Sequence, residues 1–303
     1  MANWFRNLQV YSIDPDWSAT PGSIDEALSR HPLLPVSAAA MDSHGWVPPH
    51  EESGAVFARG KQLLIALGMQ QRLLPASVIN QVAKQKAREL EKQQGFAPGR
   101  KQLRDLKNRV ADELRPKAFV KEKTVRAWVD LERRRLVVDC ASPKVADHVT
   151  GMLRNALGEL PIYPLATQVS PAGAMTNWLM GNAAPAKQGL AIDQDCELVG
   201  GGAEQATVRY ARHDLNGAEV RSLIQGGKQV RQLGLVWRDR LSFVLTDKLL
   251  VKRLRSETMD TPDAEVGMPE NERERFEADF ALMSGDCAAV LDDLVAALGG
   301  MQS

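Results

Sequence analysis

Hydrophobic and polar positions alternate between strand-like and helix-like patterns in the first 74 residues. Residues 8–13 are rich in β-branched and aromatic side chains and predict a strand, and residues 24–29 predict a short helix capped by Ser23. Residues 55–58 and 62–67 predict two antiparallel strands joined by a tight turn. We expect residues 1–74 to form a mixed α and β region.

The pattern becomes helical over residues 75–118. A first helix ends near Gly95, and a second carries an apolar stripe and must end before Pro116, which predicts an antiparallel helical hairpin. On a helical wheel, five basic side chains of the second helix fall in a sector about 120° wide beside this stripe. They are Arg100, Lys101, Arg104, Lys107 and Arg115. The helix alone does not distinguish a solvated face from a surface for a polyanion.

Over the rest of the chain, the pattern again predicts strands and helices joined by short connections. Residues 119–168 read as β-β-α-β, with Ser142 and Pro143 opening the helix and Gly158 closing it. Residues 169–303 form the last region, with these predicted elements: a strand at 206–212, a helix at 218–224, strands at 228–237, 241–246 and 249–254, and a helix at 288–298. An acidic, proline-containing connection occupies residues 256–272. The predicted fold class is α+β, with antiparallel sheets, flanking helices and a projecting basic helical hairpin.

Charge is strongly segregated although it sums to zero over the 303 residues, with 38 basic and 38 acidic side chains. Residues 84–126 carry 14 basic and 6 acidic groups, and residues 209–255 carry 11 and 4. Residues 256–303 carry 2 basic and 12 acidic groups, an acidic tail that offsets the two basic blocks. Asymmetry of this kind suggests contact with nucleic acid or a membrane surface.

Targeting and redox signals are weak. No apolar run approaches the roughly 20 residues of a membrane span, and the first residues lack the pattern of a secretory signal, so we expect a cytoplasmic protein. Cys140, Cys196 and Cys287 are widely separated and show no zinc-binding spacing, which predicts reduced, buried thiols.

One constellation suggests an enzyme. Asp193, Asp195 and Glu197 alternate, so on a strand their carboxylates would share a face and could hold a divalent cation for a metal-dependent nuclease. No Lys or His lies nearby in sequence to complete such a site, and an exposed acidic strand is the more common explanation. No other catalytic motif is present, and we expect no cofactor.

The basic side chains suggest a different function. One cluster surrounds Phe119 and includes Arg115 and Lys117, and a second cluster near Tyr210 includes Arg209 and Arg212. Cations on two separated elements can contact phosphates along DNA without reading its sequence. Phe119 is either a core residue at the start of a strand or an exposed anchor for a partner surface.

An ordered set of short motifs resembles the RdgC family of recombination-associated proteins. The motifs are WFRNLQVY at the start, GWVPP (45–49), LLPASVI (73–79), LRPKAF (114–119), VDCAS (138–142), LPIYPL (160–165), FEADF (276–280), LMSGD (282–286) and a terminal LGG. They run from one end of the chain to the other at consistent spacing.

This resemblance implies a bacterial, nucleoid-associated DNA-binding protein without enzymatic activity. It implies a homodimer that closes into a ring around DNA, binds single and double strands with little sequence preference, and restrains RecA-promoted strand exchange. Ring-lining cations would correspond to the hairpin around Lys117 and to Arg209 and Arg212, and Phe119 would lie where two subunits meet at the hairpin tip.

Three hypotheses follow from the sequence. The first is a nonspecific DNA-binding homodimer, and the second is the metal-dependent nuclease. The third is a protein-interaction module whose basic faces bind acidic partners, including its own tail at residues 256–303.

Overall fold

The computed structural model describes residues 5–181, 185–201, 206–256 and 271–302. They form two antiparallel sheets with helices packed against them, so the predicted α+β class with antiparallel pairing is confirmed. Among these described residues, no helix is long and apolar enough to cross a membrane.

The first sheet takes its seven strands from residues 9–164. They are β1 (Gln9–Ile13), β2 (Asp42–Val47), β3 (Val56–Arg59), β4 (Gln62–Arg72), β5 (Val120–Asp130), β6 (Arg135–Val138) and β7 (Ile162–Pro164). Their order is β2-β4-β5-β6-β1-β7, and β3 also pairs with β4. The predicted hairpin of β3 and β4 and the edge position of β7 are confirmed. The polar, glycine-containing β2 gave no strand pattern and was not predicted.

The helices of the first region lie between these strands. They are α1 (Pro21–Ser29), α2 (Ala76–Gln94), α3 (Arg100–Leu114) and α4 (Pro143–Leu157). The predicted start of α1 was wrong, because Thr20 is the N-cap and Ser23 is the third helical residue, whose hydroxyl accepts from the Thr20 N–H. The predicted start of α4 at Pro143 and its end at Gly158 are confirmed.

The first sheet is buried on both faces. Alternate residues along β4 point in opposite directions, so Leu63 and Ile65 pack with α1 and α4, whereas Leu64 packs with the second half of the chain. Trp128 of β5 joins Leu64 in that larger core. The two sheets therefore share one continuous apolar interior.

The second sheet takes five strands from residues 190–256. They are β8 (Leu190–Gly200), β9 (Thr207–Tyr210), β10 (Lys228–Trp237), β11 (Leu241–Thr246) and β12 (Val251–Ser256), in the order β12-β11-β10-β8-β9. Helices α5 (Pro171–Leu179) and α6 (Ala218–Gln225) lie between them in sequence. The predicted bounds of β10 and β11 are confirmed; β9 is shorter than predicted, and Arg212 lies beyond its end.

The last helix, α7 (Glu272–Ala297), contacts both sheets. The Phe57 ring lies 5.4 Å from that of Phe280, and the Trp237 indole donates a 2.8 Å hydrogen bond to Asp293. The predicted start of this helix at residue 288 was wrong by more than four turns, because a helix buried on several sides shows no single apolar stripe. Most of the acidic connection, residues 257–270, lies outside the described residues.

Candidate nucleic-acid interface

Helices α2 and α3 form the predicted helical hairpin between β4 and β5. The two strands pair along their full length, from Gln62 with Asp130 to Arg72 with Val120, and the hairpin follows directly on this ribbon. Gly95 ends α2 with a φ of 81°, a left-handed conformation that glycine adopts without strain. The chain therefore reverses within five residues before α3 begins.

Few side chains fix the hairpin to the body. Ala83 is the one buried residue of α2 and Val110 the one buried residue of α3. At the base, the buried Arg72 guanidinium donates to the carbonyls of Pro116 and Ala118 and to those of Val36 and Ser37 on the loop before β2. Arg72 thus holds the hairpin's return strand against that loop, a role that its sequence context did not reveal.

The hairpin's basic residues are largely free of acidic partners. Residues 76–117 contain eleven Lys and Arg, of which two form ion pairs within the described chain: Lys86 with Glu113 and Arg115 with Asp112. The other nine are exposed: Lys84, Arg88, Lys92, Arg100, Lys101, Arg104, Lys107, Arg109 and Lys117. Four of the predicted DNA-binding residues, Arg100, Lys101, Arg104 and Lys117, belong to this set.

Arg115 behaves differently from the other predicted hairpin cations. Its guanidinium lies 2.9 Å from Asp112 and donates to the Ala39 carbonyl at 3.2 Å. These contacts bind the end of α3 to the loop before β2, so Arg115 has a structural task besides any contact with a ligand.

The second predicted cluster lies on the second sheet and is tied to carboxylates. Glu197 of β8 faces Arg209 of β9 directly in register, and the Arg209 Nε donates to the Glu197 carboxylate at 2.6 Å. Arg231 of β10 reaches the same carboxylate at 3.8 Å. Arg209 keeps 75% of its side chain exposed, whereas Glu197 keeps 8%.

Arg212, the other predicted residue of this cluster, lies just beyond β9 and is exposed. Its backbone N–H donates to the Asp195 carboxylate at 3.3 Å, and the Arg253 guanidinium lies 3.6 Å from that same side chain. The second sheet therefore presents cations that alternate with carboxylates.

The candidate metal ligands lie on a strand, β8, which is the condition of the nuclease hypothesis, but arginines occupy their surroundings. Asp195 and Glu197 line one open cavity of about 290 Å³ together with Arg209 and Arg253, and Asp193 does not line it. Among the described residues, no three His, Cys, Asp or Glu side chains are grouped to hold a metal ion. Burial raises the pKa of Cys196, which also lines the cavity, to about 12, so its thiol stays protonated near neutral pH.

Phe119 is 85% exposed, so the interpretation of Phe119 as a core residue was wrong. Its expected place at the hairpin tip was also wrong, because it follows α3 and lies at the base of the hairpin, opposite Leu73. Its carbonyl accepts a 2.7 Å hydrogen bond from the Leu73 N–H, and Leu73, Val78 and Val120 are also exposed apolar side chains. We call these four residues the hairpin-base patch.

Sequence reasoning missed two further features. One is Phe96, an exposed aromatic side chain at the tip of the hairpin, whose signal was its place between glycines in a basic segment. The other is the pairing of the acidic C-terminal helix, whose Asp286, Asp292 and Asp293 form ion pairs with four arginines at the β5–β6 and β10–β11 turns. These arginines are Arg133, Arg135, Arg238 and Arg240.

Comparisons with known proteins match nearly the whole chain to a single family. The family model described as "Putative exonuclease, RdgC" matches residues 3–301. The chain is 44% identical over 297 residues to a recombination-associated protein RdgC from Cupriavidus pinatubonensis, with 98% of each chain covered. A protein of the same name from Dechloromonas aromatica is 44% identical over 300 residues, again with 98% of each covered. A third, from Herminiimonas arsenicoxydans, is 43% identical over 305 residues with 99% of each covered.

The family model covers nearly every residue, and these relatives match the chain from end to end at more than 40% identity. The chain therefore belongs to the RdgC family.

Proposed function

We propose that this protein binds DNA without regard to sequence and acts in DNA recombination. The observation that carries the proposal is the set of nine exposed hairpin cations that form no ion pair within 4 Å among the described residues. Cations that form no ion pair contribute most to the free energy of DNA binding, because their contact with phosphates releases the counterions condensed on DNA. The relatives' name, recombination-associated protein, supports a role in that process.

Backbone contact explains low sequence preference. Lys and Arg side chains that reach phosphates position a protein on DNA, whereas sequence is read by elements inserted into a groove. The hairpin follows a two-stranded ribbon and spreads its cations along two helices, which suits contact with successive phosphates on single or double strands. Arg209 and Arg212 would add a second, weaker set of contacts.

The regulatory role that we propose is competitive. A protein that covers DNA phosphates limits access of a RecA filament and thereby restrains strand exchange. We further propose that two copies associate through the hairpin-base patch and enclose DNA in a ring, since Phe119 exposes a large apolar surface close to the cations.

We propose that the protein performs this role without catalysis and within the nucleoid. The alternative is a metal-dependent nuclease; the family description names an exonuclease, but this activity has less support in this chain. Asp195 and Glu197, the carboxylates that such a reaction would need, are each within 4 Å of an arginine.

Fluorescence anisotropy with a labelled duplex of arbitrary sequence tests DNA binding. We expect affinity to fall by about 10³-fold or more between 50 and 200 mM salt if six or more phosphates are neutralised. An unrelated duplex of equal length should bind equally well. Absence of binding at about 50 mM salt, or affinity that ignores salt, would contradict the proposal.

Incubation of end-labelled DNA with Mg²⁺ or Mn²⁺ tests the nuclease alternative in the same preparation. Intact single- and double-stranded DNA after long incubation supports a binding protein. Degradation that Glu197→Gln abolishes would instead establish catalysis.

Sedimentation of Phe119→Ala tests the subunit contact. Truncation of a central aromatic anchor costs about 2 kcal/mol or more, so we expect the dimer dissociation constant to rise by at least about 30-fold. Tyr163→Ala is the matched control, because Tyr163 is an exposed aromatic residue on the edge strand β7. An unchanged dissociation constant for Phe119→Ala would refute this contact.

A further inference from the structure

The tip of the helical hairpin presents a single aromatic ring to solvent. Phe96 lies in the five-residue connection 95–99 and is 62% exposed. The ring is therefore available to a ligand.

Backbone and side-chain hydrogen bonds hold this connection in a defined conformation. The Gly95 N–H donates to the Glu91 carbonyl at 2.8 Å, and the Gln94 side-chain amide donates to the Phe96 carbonyl at 2.9 Å. On the other side, the Gly99 N–H donates to the Gln102 side chain at 3.0 Å. The ring is thus carried on a loop bonded to both helices, which lowers the entropy lost when a ligand is bound.

The residues around the ring are mostly basic, and the nearest acidic residues in sequence are Glu91 and Asp105. Between positions 92 and 104 the chain contains Lys92, Arg100, Lys101 and Arg104 and no Asp or Glu. All four cations are exposed and form no ion pair with the described residues. This positive charge favours a polyanion as the ligand of the hairpin tip, rather than a protein surface that has few acidic residues.

The second exposed phenylalanine has a different neighbourhood. Phe119 belongs to the hairpin-base patch, where Leu73, Val78 and Val120 extend the apolar surface and suit another protein surface. Phe96 is flanked in sequence by Gln93, Gln94 and cations. An isolated aromatic ring among cations is the combination with which proteins bind single-stranded nucleic acid, because the ring stacks on a base and the cations contact its phosphates.

We propose that Phe96 stacks on an unpaired nucleobase, with Arg100 and Lys101 contacting the adjoining phosphates. The ligand is single-stranded DNA, since paired bases are already stacked on both faces and offer no free face to the ring. This inference rests on the proposed DNA binding and adds to it a residue that favours single strands over duplex.

Paired measurements on single and double strands test the role of Phe96. The variants are Phe96→Ala, Phe96→Tyr and the control Tyr163→Ala, and the probes are a labelled oligothymidylate of about 20 nucleotides and a duplex of about 20 base pairs. We expect Phe96→Ala to weaken oligothymidylate binding about 5- to 20-fold, as for the loss of one stacked base, and duplex binding by less than about twofold. Phe96→Tyr and Tyr163→Ala should both stay within about twofold of the wild type.

The salt dependence separates stacking from charge. A lost stacking contact leaves the number of neutralised phosphates unchanged, so the log–log salt slope of Phe96→Ala should stay within about half a unit of the wild-type slope. Equal losses on both probes, no loss on oligothymidylate, or a reduced slope would overturn the inference. A shift of Phe96→Ala from dimer to monomer in sedimentation would also overturn it, since the ring would then be a subunit contact.

The same experiment distinguishes failure of this inference from failure of the proposed function. If the wild-type protein binds neither probe, the proposed DNA binding is wrong. If the wild type binds both probes with a steep salt slope and Phe96→Ala binds identically, the role of Phe96 alone is wrong.

Discussion

Two regions of this molecule carry the same number of basic residues but expose them differently. The hairpin, residues 76–117, and the segment 209–255 each contain eleven Lys and Arg. Two of the eleven form ion pairs in the hairpin, against five in the second segment. Equal charge counts therefore correspond to unequal amounts of charge available to a ligand.

The difference follows from secondary structure. Neighbouring strands bring directly opposed side chains within about 5 Å of each other, so Glu197 meets Arg209 across the β8–β9 pair. A register shift in β10 between Val230 and Gln232 adds Arg231 on the other side of the same carboxylate. A two-helix hairpin has no such ladder, and most of its surface faces solvent.

Removal of hairpin charge should have the largest effect. The triple substitution Arg100→Ala, Lys101→Ala and Arg104→Ala removes three exposed, unpaired cations, and each phosphate contact contributes about eightfold at 0.1 M salt. We expect duplex affinity to fall by about 10²- to 10³-fold in anisotropy measurements. A loss below about tenfold would show that the hairpin is not the main contact.

The same kind of substitution on the second sheet should act mainly on stability. Arg209→Ala removes the closest partner of a buried carboxylate, which costs about 1–3 kcal/mol of unfolding free energy. Arg100→Ala, the matched exposed arginine, should stay within about 0.5 kcal/mol of the wild type in urea denaturation. Combining Arg209→Ala with Glu197→Gln should restore part of the loss, because Arg231, at 3.8 Å, compensates the buried carboxylate only in part and the amide carries no charge.

Equal stability of Arg209→Ala and Arg100→Ala would contradict the distinction between the two regions. It would mean that the contact of Arg209 with Glu197 contributes nothing and that Arg209 is as available to DNA as the hairpin residues are.

Local sequence patterns predicted those elements whose boundaries have local causes. The bounds of β10 and β11 follow from the turn at Arg238 and Asp239, both of which adopt a positive φ. The end of α2 follows from Gly95, and α3 ends at Leu114, just before Pro116. Long-range packing decided the rest: α7 is buried against two sheets, and the polar strand β2 is fixed by its pairing with β4.

The same division holds for the candidate site. The hairpin cations were predicted from the sequence because a helix surface depends on local periodicity alone. The ion pair of Arg209 was not predicted, since its partner Glu197 lies twelve positions away on another strand. The exposure of Phe119 was not predicted either, because it depends on the path of the chain from α3 into β5. The ion pairs of α7 were missed for the same reason, because their arginines lie at turns of both sheets, far from α7 in sequence.

The salt slope of duplex binding tests most directly whether the hairpin carries the charge that DNA contacts. The slope should fall by about two to three units in the Arg100, Lys101 and Arg104 triple variant, and by less than about one unit in Arg209→Ala. Thermal unfolding of the triple variant should match that of the wild type. A wild-type slope in the triple variant, or a larger change in Arg209→Ala, would contradict this assignment.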